Sequence, residues 1–419
     1  MSMISHKTFF ICLLILNVNS ISQNPDKCYD YNKKGIAALD KNDYQDAIIN
    51  FENALQCSNS NITIKKNLIN TYNNYAIELS KNSKFSEACL FLEKAHSLEP
   101  ASLQIKSNLK SLYLQKSTVE FNSKEYSDAE VTLKKLLILE EFNTLALINI
   151  GKIAYLNQKL SLAEKYWNKA LLTEPGNKEI IQLLSSIQKE GRTENNFSQV
   201  QGDIFEIHYD QGVIDNEVYE IKQHLMDCYR IIGQDFGYFP KHPIIVLLYK
   251  ESEFRGIRDV HDKVSGLFDG KIRIPVNLNK YSLEKLKEIL NHEFTHALIF
   301  DIAGNECPIW LNEGLAVFEE KTDRMYEKVI MSKAAKNNNI LSISQLNNSS
   351  VWRNSSLAPL AYSQSYFMVK YMIDRWGLYV INEIIKGIKN GSSFESVLEN
   401  KTNCSLTEFE QGWKKRVKN

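Results

Sequence analysis

Two histidines four residues apart, His292 and His296, flank a glutamate in the stretch LNHEFTHALIF, Leu290 to Phe300. On a helix that spacing puts both imidazoles on one face, where their nitrogens can meet a single Zn²⁺ at about 2.0–2.1 Å. Glu293 then sits beside the metal, placed to take a proton from a bound water. Two imidazoles are one ligand short of a catalytic site. A third candidate stands in CPIWLNEGLAVFEEK, Cys307 to Lys321, where Glu313 follows His296 by seventeen residues. That distance permits one helix, a turn at AGNECP and a second helix folding back. Two imidazoles and one carboxylate leave the fourth zinc position open for water, as hydrolysis requires. The competing reading of Glu313 is an exposed acid at a helix start. Structural zinc is disfavoured because such sites take four protein ligands, usually cysteines.

The elements that must position these residues are legible around them. SLEKLKEILNHEFTHALIF has Ser282 as an N-cap and a buried side at Leu286, Ile289, Leu290, Ala297 and Leu298. Upstream, DIFEIHYD and HPIIVLLYK read as strands flanking a helix from about Asn216 to Phe236. SGLFDGKIRIPVNL carries a hairpin signal at Asp269-Gly270. After Ser282 the pattern is helical almost to the end, so residues 204–419 are expected to form an α+β domain. Asn312, Glu319, Glu320 and Asp301 are candidates for orienting the ligands from behind.

The N-terminal half is repetitive. Small residues recur at Gly35, Ala76, Ser117 and Gly151, alanines at Ala47, Ala88, Ala129 and Ala163, and bulky residues at Phe51, Leu92, Leu133 and Trp167. This pattern resembles four tetratricopeptide repeats over residues 28–189, an all-α solenoid that binds protein partners. The alanine spacings are 88 − 47 = 41, 129 − 88 = 41 and 163 − 129 = 34. Seven extra residues amount to roughly two helical turns, so longer helices are expected at the first two junctions. Residues 190–203, with no hydrophobic period, are expected to be a linker. Cys28 and Cys57 should lie together at the ends of the first helix pair, where a disulfide is expected.

HEFTH together with WLNEGLA resembles the gluzincin metallopeptidases, the group that includes thermolysin and the aminopeptidase N family. The resemblance implies His292, His296 and Glu313 as zinc ligands and Glu293 as general base. LAYSQSYFMVKYMIDRWG is similar to the segment whose tyrosine stabilises the tetrahedral intermediate, which implies that role for Tyr362, with Ser365 as the small residue and Tyr366 as the alternative. From roughly Ile204 to Lys418 the chain resembles the short peptidase-MA-like domain. It lacks the G-A-M-E-N substrate-amine motif of aminopeptidases, so an endopeptidase cleft is slightly favoured.

Bulk properties narrow the rest. Fifty basic residues balance fifty acidic ones in 419, and no global field points to nucleic acid as a partner. His6 and Lys7 precede the apolar run Thr8 to Val18, with Ser20 and Ser22 after it, which reads as a signal peptide over residues 1–22. The expectation is therefore an exported zinc metallopeptidase acting on a peptide or protein substrate, with repeats that recruit a partner. Membrane association follows only if the N-terminal segment stays uncleaved. The alternative is a repeat scaffold with an inert peptidase-like domain.

Overall fold

The computed structural model describes residues 25–194, 196–213, 215–257, 266–276, 282–389 and 392–418. The expected signal peptide, residues 1–22, lies outside them. The chain divides into two compact units, Met1–Glu141 and Phe142–Asn419.

The first unit is a helical array of three pairs. These are α1 (Pro25–Leu39) with α2 (Tyr44–Cys57), α3 (Ile62–Lys81) with α4 (Phe85–Leu98), and α5 (Leu103–Asn122) with α6 (Tyr126–Leu139). The small-against-bulky pattern is a packing contact: a Cβ on Gly35 would stand 2.7 Å from the Phe51 ring. Each pair turns through a residue in the left-handed region, Asn42, Ser83 and Lys124. The 41-residue spacing also has a polar counterpart. Glu52 accepts from the Tyr72 hydroxyl and from Lys94 Nζ at 3.2 Å. Glu93, 41 residues on, accepts from Tyr113 at 2.7 Å and Lys135 at 2.8 Å. Cys28 and Cys57 are neighbours as expected but free thiols rather than a disulfide, and burial together with Cys57 raises the Cys28 pKa.

The second unit opens with a fourth pair, α7 (Thr144–Leu156) and α8 (Leu160–Thr173), followed by α9 (Lys178–Glu194). Gln158 again supplies the left-handed turn, and Gly151 lies under the Trp167 ring. The first helices α3 and α5 have 20 residues and α7 has 13, so the seven additional residues lengthen the first helix of the second and third pairs.

The segment expected to be a linker carries structure instead. Glu190 to Glu194 complete α9, and Ser198–Val200 form β1. The sheet adds β2 (Phe205–Tyr209), β3 (Ile244–Lys250), β4 (Leu267–Phe268) and β5 (Ile272–Val276) in the order β1-β2-β3-β5-β4. Its central three strands are parallel and both edges antiparallel. The helices α10 (Asp215–Phe236) and α11 (Glu251–Ile257) interrupt the strands.

Parallel strands must be covered on both faces. Val246, Leu248, Ile272 and Ile274 face the main core with Phe294 and Leu298 of α12 (Leu283–Ala303). On the opposite face, Leu247 and Tyr249 pack with Phe254 of α11. There Arg273, 1% exposed, bonds to Glu190 at 2.9 Å and Glu194 at 2.7 Å on α9. Its guanidinium also reaches the Tyr155 hydroxyl on α7 at 2.9 Å and Asp269 at 3.2 Å. The boundary expected near residue 190 is displaced for a physical reason: this charge cluster binds the fourth helix pair to the sheet.

After α12 every regular element among the described residues is a helix. The chain runs through α13 (Ile309–Glu319), α14 (Met325–Lys336), α15 (Ile343–Leu346), α16 (Ser349–Arg353), α17 (Ala358–Trp376), α18 (Leu378–Lys389), α19 (Phe394–Thr402) and α20 (Leu406–Lys418). Trp310 of α13 is fully buried against Phe394 and Phe409. No helix among the described residues is long and apolar enough to cross a membrane.

Candidate metal centre

Ser282 caps α12, its Oγ accepting from the Lys285 amide at 3.2 Å, and Gly304 ends the helix at φ +64°. One side of α12 is anchored in the core through Leu290, Phe294 and Leu298. His292 and His296 project from another side toward α13. Their Nε2 atoms are 3.1 Å apart, and Glu313 Oε2 stands 3.7 Å from the first and 3.6 Å from the second. Four tetrahedral ligands at zinc bond lengths lie about 3.3 Å from one another. The three donor atoms already have nearly that spacing. Among the described residues, His292, His296 and Glu313 form a group able to hold a metal ion.

Glu313 Oε2 is buried and has no hydrogen-bond partner. A buried carboxylate oxygen left in that state costs free energy unless a cation reaches it. The residue types, the spacing and the orphaned oxygen therefore fit a metal.

Each histidine is held from behind. His292 Nδ1 donates to Glu320 Oε1 at 2.8 Å, and His296 Nδ1 donates to Asn312 Oδ1 at 3.1 Å. These bonds make Nδ1 the donor in each ring and turn both Nε2 atoms toward Glu313. Of the four orienting candidates, Asn312 and Glu320 touch the ligands. Glu319 is fully buried and faces Lys321 at 2.9 Å, and Asp301 accepts from Tyr238 at 2.6 Å.

The electrostatics favour positive charge at this point. Burial alone would lower the His292 pKa, but Glu313 and Glu320 raise it to about 10. Burial pushes Glu313 and Glu320 upward, yet the neighbouring histidines hold both below the ordinary carboxylate value. Glu293, raised to about 8 by burial against the pull of His292, lies beside the group. It is packed so closely under Gly266 that a Cβ there would meet its Oε1 at 2.6 Å.

Tyr362 lies within this field. The charge of Glu313 raises its pKa first, with burial and Glu293 adding to it. Its ring stands edge-on to Trp352, with centroids 5.0 Å apart. Tyr366 is turned elsewhere, stacked near Phe318 and under the Arg324 guanidinium at 5.3 Å. The approach of α17 to α13 depends on Gly314, where a Cβ would be 2.5 Å from the Ser365 carbonyl oxygen. The close approach is made at Gly314, against the Ser365 backbone; the buried Ser365 side chain takes no part in it.

Three supporting residues escaped the sequence reading. Arg324 bonds to Glu320 Oε2 at 2.9 Å, behind His292. Its i,i+4 spacing from Glu320 was a usable but common signal. Asn291 donates to the Glu319 carbonyl at 3.1 Å and bonds to His224 at 3.1 Å, fixing the start of the histidine turn. Gly266 gave no signal, because its role depends on packing against Glu293. Cys307 borders the cleft with its thiol pushed up to about 12 by burial, and it is outside the metal-ligand group.

The group opens onto a cleft of about 490 Å³, bordered by His296, Asn312 and Glu313 on one side and Phe268, Asp269 and Gly270 on the other. Residues 232–419 match the model of the Peptidase MA superfamily. A protein of Bacillus subtilis (strain 168), named uncharacterized protein YhcO, is 22% identical over 198 residues. The match covers 43% of this chain and 59% of that protein, so the chain spans about three fifths of the relative's length.

Proposed function

We propose that this chain is an exported zinc metallopeptidase of gluzincin type that hydrolyses peptide bonds in a protein or peptide substrate. The observation that carries the reading is the convergence of His292 Nε2, His296 Nε2 and Glu313 Oε2 within 3.1–3.7 Å, with an otherwise unpartnered carboxylate oxygen. A zinc ion held there supplies Lewis acidity, lowering the pKa of a water and polarising a carbonyl. Glu293 accepts the water's proton and delivers it to the departing amine. Its carboxylate is buried beside Gly266, which raises its proton affinity. Tyr362, kept as a neutral phenol by Glu313 and burial, donates a hydrogen bond to the oxyanion. Glu320 and Asn312 keep both imidazoles in the ligating tautomer.

The helical array reads as tetratricopeptide repeats that hold a protein partner or deliver substrate. Supporting this are the Gly35–Phe51 and Gly151–Trp167 contacts and the recurring left-handed turns. The test compares peptide cleavage by wild type and Glu293→Gln. The variant should keep its metal and lose about 10²–10⁴-fold in turnover. Equal, chelator-insensitive activity in both proteins would refute the enzyme reading.

A further inference from the structure

The fourth helix pair reaches the cleft. Leu156, the last residue of α7, borders the same cavity as His296 and Glu313. Across from it is Gly270, at φ +98°, where a Cβ would lie 2.9 Å from Leu156 Cδ2. Glycine at this turn therefore serves two needs, the positive φ and the close approach of the leucine.

The wall is fastened on both sides of Leu156. Arg273 bonds to the Tyr155 hydroxyl at 2.9 Å. Lys271 bonds to Gln158 Oε1 and lies over the Tyr155 ring at 3.8 Å. Arg273 is on β5 and Lys271 stands between the Gly270 turn and that strand, so the leucine and the strand are held together. Phe268, Ile299, Phe300 and Ile309 supply further apolar lining. Asp269 borders the cavity too, but its carboxylate is bonded to Arg273 Nε at 3.2 and 3.3 Å. The cavity's volume is in the range of about 300–1,000 Å³ typical of small-ligand pockets.

We propose that Leu156 is a specificity residue of the substrate cleft, forming with Phe268, Phe300 and Ile309 a pocket for a bulky apolar side chain of the bound peptide. Substrate choice is then made partly by the fourth helix pair. This inference rests on the peptidase reading of the adjoining metal centre.

The test uses the full zinc-loaded chain and a peptide series that differs at one residue beside the cleaved bond, phenylalanine against alanine. Wild type should prefer phenylalanine. Leu156→Trp fills the pocket and Leu156→Ala widens it, and each should change the phenylalanine-to-alanine ratio of kcat/KM by about tenfold. A role confined to packing would change unfolding midpoints and leave that ratio unmoved. A second arm measures binding of the same peptides to Glu293→Gln, with and without Leu156→Trp, by fluorescence anisotropy. Loss of the phenylalanine preference on adding Leu156→Trp supports the pocket even if wild type cleaves nothing, an outcome in which only the peptidase reading fails. Cleavage with a ratio independent of residue 156 overturns the pocket while the peptidase reading stands. Absence of residue-156 dependence in both arms overturns it outright.

Discussion

His292 is aligned by a chain of charge that begins at a residue touching no ligand: Arg324 bonds to Glu320, and Glu320 bonds to His292 Nδ1. Removing the carboxylate charge while keeping its shape should loosen this alignment. Glu320→Gln is expected to weaken zinc binding about 10–100-fold, read by competition with a chromogenic chelator. Tyr362 is predicted to act later in the reaction. Tyr362→Phe should lower kcat by about 10²–10³-fold with little change in KM, the pattern of a bond made only in the transition state. Tyr366→Phe serves as its control, since that ring packs against Phe318 and Arg324. An equal loss in both variants would remove Tyr362 from the role. At this scale the sequence was informative about which residue types matter, because ligand chemistry restricts them. Gly266 was invisible, because its value lies in what it leaves room for.

At the scale of elements, the first three helix pairs are joined by a hydrogen-bond stitch that repeats with the packing. Burial would raise the Glu93 pKa, but hydrogen bonds from Lys135 and Tyr113 outweigh it and hold the carboxyl below 4.5. A depressed carboxylate stabilises the fold above its unfolded pKa and loses that contribution as pH falls through the folded value. Lowering pH from 6 to 3 should therefore reduce the thermal midpoint of wild type more than that of Glu93→Gln. Parallel curves for the two proteins would show that the stitch contributes nothing. The 41-residue spacing foretold lengthened helices, and α3 and α5 are the longer ones. The stitch was not foreseen, since Glu52, Tyr72 and Lys94 are far apart in sequence and meet only when successive pairs stack.

At the scale of the whole molecule, the division between the two compact units falls at Glu141 and Phe142 rather than in the expected linker. The cluster of Arg273, Glu190, Glu194, Tyr249 and Tyr155 gives the cause. Cutting between its members would leave Arg273, 1% exposed, without its α9 carboxylates. Breaking a buried ion pair in that way costs about 3–5 kcal/mol. A chain starting at Phe142 should unfold cooperatively in urea, whereas one starting at residue 204 should not. Cooperative unfolding of the shorter chain would return the boundary to the expected position.

The sequence by itself made legible the His292, His296 and Glu313 group that could hold a metal, the N-terminal helical array and the order of strands before helices. Each of these is a local pattern, set by helical period, turn residues or the chemistry of a metal donor. Tertiary structure decided which acids stand behind the histidines, which tyrosine faces Glu313, and where one unit ends. It also brought Leu156 to the cleft. Those outcomes depend on which faces meet across a hundred or more residues, and neither Arg273 nor Leu156 carries any mark of its partner in the residues beside it.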